Sequence, residues 1–235
     1  MPPIIREFSS LMGVEIFNST LVEWGEDAAV SAELHPMMLF TLFVQVILTG
    51  IPPGLLQAPL PEQLSDLEFI HTNLTAIPDS VVEPWKGIEI VYIEHSQLNS
   101  FPTALMQLPV LSELSLIDNK IATIPDNAIL NAASTYFYNL ALSKNPLREP
   151  PQARSDNFDV SYLALEFTLL TETPEWINTN VWDAVSLGGS PLCQTNRSVE
   201  PSGNVLCGGD KSSWDPLGDE RYPTKLMMPF RSLDA

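Results

Sequence analysis

The sequence predicts an elongated α/β solenoid, and three observations carry that prediction: a six-fold internal repeat, a proline at a fixed place in it, and two cysteines beyond its last unit. With position 1 set at Leu64, Ile88, Leu111, Phe137, Val160 and Trp182, apolar residues recur at positions 4, 6 and 11. These are Leu67, Phe69 and Leu74; Val91, Ile93 and Leu98; Leu114, Leu116 and Ile121; Leu140, Leu142 and Leu147; Leu163, Leu165 and Leu170; Val185, Leu187 and Leu192. Proline holds position 15 in the first five units, at Pro78, Pro102, Pro125, Pro151 and Pro174. The spacings between successive units are 24, 23, 26, 23 and 22 residues.

This is the leucine-rich-repeat pattern, L-x-x-L-x-L-x-x-N-x-L, with a period in the range of roughly 20–29 residues. Each unit supplies a short strand at positions 3 to 7, whose alternate side chains point into the core and out to a concave face. No unit buries its apolar side alone, so the units stack on one continuous core. Position 9 calls for asparagine, whose amide satisfies turn backbone, and Asn119 and Asn145 fit. Thr72, Ser96, Thr168 and Ser190 stand there in the other units and offer fewer hydrogen bonds, which predicts a regular but somewhat loosened solenoid. Proline at position 15 donates no amide and favours extended backbone, so the convex side should be irregular or short-helical.

The repeat region is bounded at residues 38–192, between an N-terminal flanking segment (1–37) and a C-terminal cap (193–235). Residues 37–51 form an apolar run of 15, short of the roughly 20 needed to cross a bilayer as a helix. Leu48, Ile51 and Pro52 match positions 11, 14 and 15, so a degenerate first repeat at 38–63 is preferred over a membrane segment. Residues 1–30 lack the basic start, apolar run and cleavage site of a signal peptide. At the other end, Gly189-Ser190-Pro191-Leu192-Cys193 leads into the cap. A Cys193–Cys207 bridge would close a small loop over the open apolar end, contributing about 3 kcal/mol; two reduced thiols in a cytosolic protein are the alternative. Three sequons, at Asn18, Asn73 and Asn196, point to the secretory route and to glycosylation. Trp24, Trp85, Trp176 and Trp182 are expected to pack into the caps or between units. The apolar stretch 226–230 is expected to cap the solenoid end.

Charge narrows the partners. Eleven lysines and arginines stand against 29 acidic residues, a net charge of −18. Phosphate backbones and anionic membranes would be repelled, so nucleic acid is not an expected partner. A basic or neutral protein or peptide fits, as does solubility alone.

The stretch Leu64–Pro151 carries the phrases HTNLTAIP and EHSQLNSFPTAL, with NSTLVEWGED upstream and GGSPLC and RYPTKLMMPFRSLD downstream. It resembles the leucine-rich-repeat ectodomains of the membrane-anchored surface proteins of oomycetes. The resemblance implies surface recognition or assembly, with membrane segments outside this region and no catalytic residues to carry over. The missing leader then implies a fragment or truncated gene model, and an extracellular or cell-surface location.

A binding site is expected on the concave face, at positions 3, 5, 7 and 8. The candidates are Asp66, Glu68, His71, Tyr92, Glu94, His95, Glu113, Asp118, Tyr162 and Glu166, with Ile70, Ile90 and Ile117 as exposed aliphatics. Tyr92 is expected to act as an aromatic anchor. This acidic and apolar surface suits a basic peptide segment. His71, His95 and Asp118 share position 8 of neighbouring units, and protonation of the histidines would alter binding between about pH 5 and 7.5. Two histidines without a ligand-spacing motif do not make a metal site, so neither metal nor cofactor is expected. Carboxylate pairs such as Glu68/Glu94 and Glu113/Asp118 sit on an open face that admits water, and no nucleophile or phosphate-loop motif accompanies them. The chain is therefore read as a non-catalytic recognition or assembly module, with a cytosolic repeat scaffold or signalling regulator as the alternative.

Overall fold

The computed structural model describes residues 1–149, 152, 158–173, 176–195 and 205–207. Among them, nine strands lie in one sheet in strict sequence order, every neighbouring pair parallel. They are β1 (Gly13–Leu21), β2 (Phe40–Leu48), β3 (Asp66–Ile70), β4 (Ile90–Glu94), β5 (Glu113–Ser115), β6 (Tyr136–Ala141), β7 (Asp159–Ala164), β8 (Val181–Ser186) and β9 (Val205–Leu206). This is the leucine-rich-repeat solenoid with its open parallel sheet.

The pairing register follows the repeat numbering. Asp66, Ile90, Glu113, Asn139 and Tyr162, all at position 3, are successive partners. Phe40 pairs with Asp66, which puts Met38 at position 1 of its own unit. Residues 40–48 are thus a strand of the sheet. Gly13 pairs in turn with Phe40, so Leu11 takes position 1 of a still earlier unit, within the stretch expected to be flanking sequence. Val14, Ile16 and Leu21 then fall on positions 4, 6 and 11. His35 ties down the chain before it. Its buried ring donates from Nε2 to the Ile5 carbonyl at 2.9 Å and accepts the Ser31 amide at 3.3 Å.

The convex side is made of short turns of 3-10 or α-helix, as the prolines require. Pro52, Pro78, Pro102 and Pro125 each immediately precede one: Pro53–Leu55, Asp79–Val81, Thr103–Gln107 and α1 (Asp126–Leu130). Proline's fixed φ and missing donor suit the entrance to a helix, where that amide has no partner anyway. Two further short helices, α2 (Ile177–Asn180) and α3 (Pro191–Thr195), flank β8. Pro151 and Pro174 lie outside the described residues.

The core runs the length of the stack through positions 1, 4, 6 and 11. Its N-terminal part is a column of rings: Trp24, Phe43, Phe69 and Trp85, with successive centroids 6.1, 4.9 and 6.4 Å apart. Both indoles are buried and both donate, Trp24 to Ala28 at 2.7 Å and Trp85 to Leu55 at 2.9 Å. Gly54 is demanded by this column, because a Cβ there would lie 2.2 Å from the Trp24 ring. Phe137, Phe158 and Trp176 form a second column further on.

Asparagine stitches the middle units. Asn119 accepts the Leu98 amide and donates to the carbonyls of Ile93, Leu116 and Ile117; Asn145 accepts the Ile121 amide and donates to Leu116, Leu142 and Ser143. Thr72 and Ser96 instead bond to each other at 2.9 Å. Asn73, one place later, takes over the missing reach, accepting the Leu48 amide at 2.7 Å and donating to its carbonyl at 2.9 Å. The C-terminal end is closed by the Cys193–Cys207 disulfide, across a sequence separation of 14, and β9 just before Cys207 adds itself to β8.

Candidate functional site

Position 8 has a backbone conformation no repeat pattern announces. Asn18, Gln45, His71, His95, Asp118, Lys144 and Phe167 all have φ between 44° and 59°, and Gly189 follows at 75°. This is the left-handed region, which costs a residue with a Cβ roughly 1–2 kcal/mol. In the six units from Leu64 onward the strand has ended by this position, whereas Asn18 and Gln45 adopt it inside β1 and β2, whose pairing resumes directly after them. The side chains of this row stand along one edge of the concave face. His71 stacks on His95, centroids 4.4 Å apart and planes within 10°, and His95 Nδ1 donates to Asp118 at 2.7 Å. Asp118 and His71 are exposed and His95 half-buried. Among the described residues no group of three or more His, Cys, Asp or Glu is arranged to hold a metal ion.

The rest of the expected face divides. Asp66, Glu113 and Tyr162 remain half-buried at position 3 and accessible. Glu68, Tyr92, Glu94 and Glu166 are buried instead, Tyr92 and Glu94 completely. The aliphatics expected at the surface are buried too: Ile70 and Ile117 fully, Ile90 in part. With Val44, Ala141 and Ala164 they form a second apolar cluster on the concave side, and Phe17 and Leu42 pack against it. Curvature supplies the reason. Side chains on the inner side of an arc converge, so rows about 4.8 Å apart shield each other more than they would on a flat sheet. Tyr92 is consequently a structural residue whose hydroxyl donates to Glu113, not an exposed anchor.

A different set of rings is exposed, at the start of β6, β7 and β8. Tyr136 and Tyr138 flank the buried Phe137 and point the other way, 43% and 47% exposed. Tyr138 meets Tyr162 edge to face, centroids 5.3 Å apart and planes at 83°. Tyr136 hydrogen-bonds Ser161 at 2.9 Å. Trp182, expected at a core position, is 62% exposed. The cause is a register shift: Val160 pairs with Val181 but Tyr162 pairs with Ala184. The extra residue of this bulge gives position 1 to Val181 and re-aims Trp182 outward. Its indole donates to Asp159 at 3.4 Å. Burial first, then the neighbouring Asp183 carboxylate and Tyr138, raise the Tyr162 hydroxyl above the ordinary tyrosine pKa. Alternation of Val181 with Trp182 was the available sequence signal for this patch.

Of the sequons, Asn18 is exposed on β1 and Asn73 exposed after β3, while Asn196 lies outside the described residues. The apolar stretch 226–230 and Trp214 also lie outside them.

No family model matches the chain. Fibromodulin of Oryctolagus cuniculus and of Sus scrofa are each 25% identical over 68 residues, covering 29% of this chain and 46% of the relative, so the likeness spans about half of those proteins. A leucine-rich-repeat protein of Leptospira interrogans superposes with a TM-score of 0.53 at 16% identity, over 81% of this chain and 58% of its own. TLR13, in its complex with ssRNA13, superposes with a TM-score of 0.55 at 16% identity, over 79% of this chain and 29% of its own. Repeat spacing, sheet register and these likenesses converge on one placement: by fold, the chain is a leucine-rich-repeat protein.

Proposed function

We propose that the chain is a non-catalytic recognition or assembly module of a cell-surface leucine-rich-repeat protein, taking a basic protein or peptide segment on its concave side. The observation that carries this reading is the accessible acidic border of that side. Asp66 and Glu113 stand at position 3 of the units that begin at Leu64 and Leu111, and Asp118 at position 8 of the latter, where it meets the His71–His95 stack, on a chain of net charge −18. TLR13 is a partner of RNA in its own complex, but repulsion between phosphates and this charge argues for a different ligand here. The buried carboxylates Glu68, Glu94 and Glu166 have little room to meet a substrate, and a concave sheet open to water offers poor shelter for acid–base chemistry.

The Cys193–Cys207 bridge supports passage through an oxidising compartment, and the exposed sequons at Asn18 and Asn73 fit with it. The resemblance to oomycete membrane-anchored surface proteins gives the same direction. Peptide mass mapping of protein from its native source tests the location: an intact bridge with a glycan on Asn18 or Asn73 is expected, and free thiols with bare asparagines would move the protein to the cytosolic scaffolds. Panning a random peptide library against the full chain tests the ligand. Enriched peptides should be basic and should lose most binding to the triple variant Asp66→Asn, Glu113→Gln, Asp118→Asn. Acidic or neutral peptides that ignore those changes would refute a concave acidic site.

A further inference from the structure

The chain carries, in its own tail, a segment with the chemistry of the partner proposed for its concave side. Residues 221–231, outside the described ones, hold Arg221, Lys225 and Arg231, three of the chain's 11 lysines and arginines, and none of its 29 acidic residues. No other stretch of that length combines three cations with no acid. Between Lys225 and Arg231 the side chains are unbrokenly apolar, from Leu226 to Phe230.

The concave side offers the complement of both features. Phe17, Leu42 and Ile90 are half-buried against the inner cluster and present apolar surface. Glu113 and Asp118 each commit one oxygen inward, accepting from the Tyr92 hydroxyl and the His95 ring, and both remain accessible. A carboxylate has lone pairs for further donors. Lys144, next after Asp118 in the position-8 row, is of like charge to the segment and bounds the site on its downstream side. The solenoid end, where sequence alone places residues 226–230, is closed by the Cys193–Cys207 bridge and β9.

Reach permits the contact within one chain. Strand β9 is parallel to the others and ends directly before Cys207. The residues from Cys207 to Arg221 extend to at most roughly 45–50 Å. Stepping from β9 to β5 crosses four strand spacings, and to β3 six, about 20 and 29 Å at about 4.8 Å each. Resting on the reading of a basic partner, we propose that residues 221–231 are an intramolecular strap on the concave side: their cations lie over Glu113 and Asp118, their apolar run lies toward Ile90 and Leu42, and an outside partner must displace them. A strap on such a linker acts at an effective concentration of about 1 mM. For a segment with an intrinsic Kd of about 0.1 mM, it should weaken an added competitor about tenfold.

The test uses the full chain and a rhodamine-labelled peptide, GRYPTKLMMPFRS-amide, read by fluorescence anisotropy in about 0.15 M salt. The tail variant Arg221→Gln, Lys225→Gln, Arg231→Gln should bind this peptide about tenfold more tightly than the wild type. Adding Asp66→Asn, Glu113→Gln and Asp118→Asn to the tail variant should remove that binding. A second measurement needs no variant. Carbodiimide treatment of the wild type, followed by peptide mapping of the monomer band, should join Lys225 to Glu113 or Asp118. If wild type and tail variant bind the peptide alike, or Lys225 is joined only to acids away from the concave side, the strap is wrong. Links found only in a dimer band would overturn it in favour of a second copy. If the strap fails while library-selected basic peptides still bind and still need Asp66, Glu113 and Asp118, the concave acidic reading survives without it. If those peptides ignore the acidic changes as well, both fall.

Discussion

The upstream strands β2–β5 and the downstream strands β6–β8 belong to one parallel sheet, yet they place their aromatic residues differently. Upstream, Tyr92 sinks beneath its neighbours and joins Val44, Ile70 and Ile117 in an inner apolar cluster. Downstream, that cluster tapers to Ala141 and Ala164, while Tyr138 and Trp182 are exposed and Tyr162 is half-buried. The lesson is that a position number in a repeat names a place on a ladder, not an environment. What occupies the adjacent rungs decides whether a side chain there is core or surface.

Truncating Tyr92 is the sharpest way to break the comparison. Tyr92→Ala removes a fully buried ring and should cost about 3–5 kcal/mol, whereas Tyr162→Ala, half-buried, should cost less than about 1.5 kcal/mol. Equal shifts in a urea-denaturation midpoint would erase the distinction between the two halves. Opening the Cys193–Cys207 bridge by Cys193→Ser should remove about 3 kcal/mol. In a stack held by nearest neighbours the loss should concentrate downstream, so amide exchange should rise in β8 and β9 before β2. Next comes the stitching. Asn119→Ala takes its partner from the buried Leu98 amide and the Ile93 carbonyl, while the Leu116 and Ile117 carbonyls keep Asn145 and the His95 N–H as donors; it should cost about 2–3 kcal/mol, against about 1 kcal/mol for Thr72→Ala, and thermal midpoints of the two variants rank them. Trp182→Ala should change stability by no more than about 0.5 kcal/mol, and a larger loss by calorimetry would mean that the indole packs more than it shows. The smallest effect is spectroscopic. Asp183→Asn should bring the Tyr162 ionisation back toward the ordinary tyrosine value in an ultraviolet titration, because one of the charges that raise it is gone.

Much of this fold was readable from residues. The apolar places 1, 4, 6 and 11 set the sheet register from Met38 onward, the prolines marked where convex turns begin, and two cysteines at the end of the repeats form the closing bridge. The first unit escaped notice although Leu11, Val14, Ile16 and Leu21 fit the pattern. Gly25 stands at its position 15, and without proline there the unit lacks the punctuation that marks the others. Trp182 was misplaced because spacing alone cannot reveal an inserted bulge residue, and Val181 offered an equally apolar alternative. The inner cluster was illegible for a more general reason. Periodicity reports which side of the strand a residue is on, while the arc of the sheet, which closes Tyr92 and Glu94 off from water, is a property of the whole stack.

The closing bridge has a mechanical consequence. Tension pulling on the chain beyond Cys207 passes through the sulfur–sulfur bond to Cys193 and bypasses everything between, so the segment carrying β9 bears no load. Those residues are stored length. Reduction under tension would release them, extending the chain by roughly 40 Å, since 14 residues stretch to at most about 3.3–3.6 Å each and the bridged Cα atoms are already 5.4 Å apart. A stretching trace with and without reductant would show that step, and the last rung of the sheet would peel away only in the reduced protein.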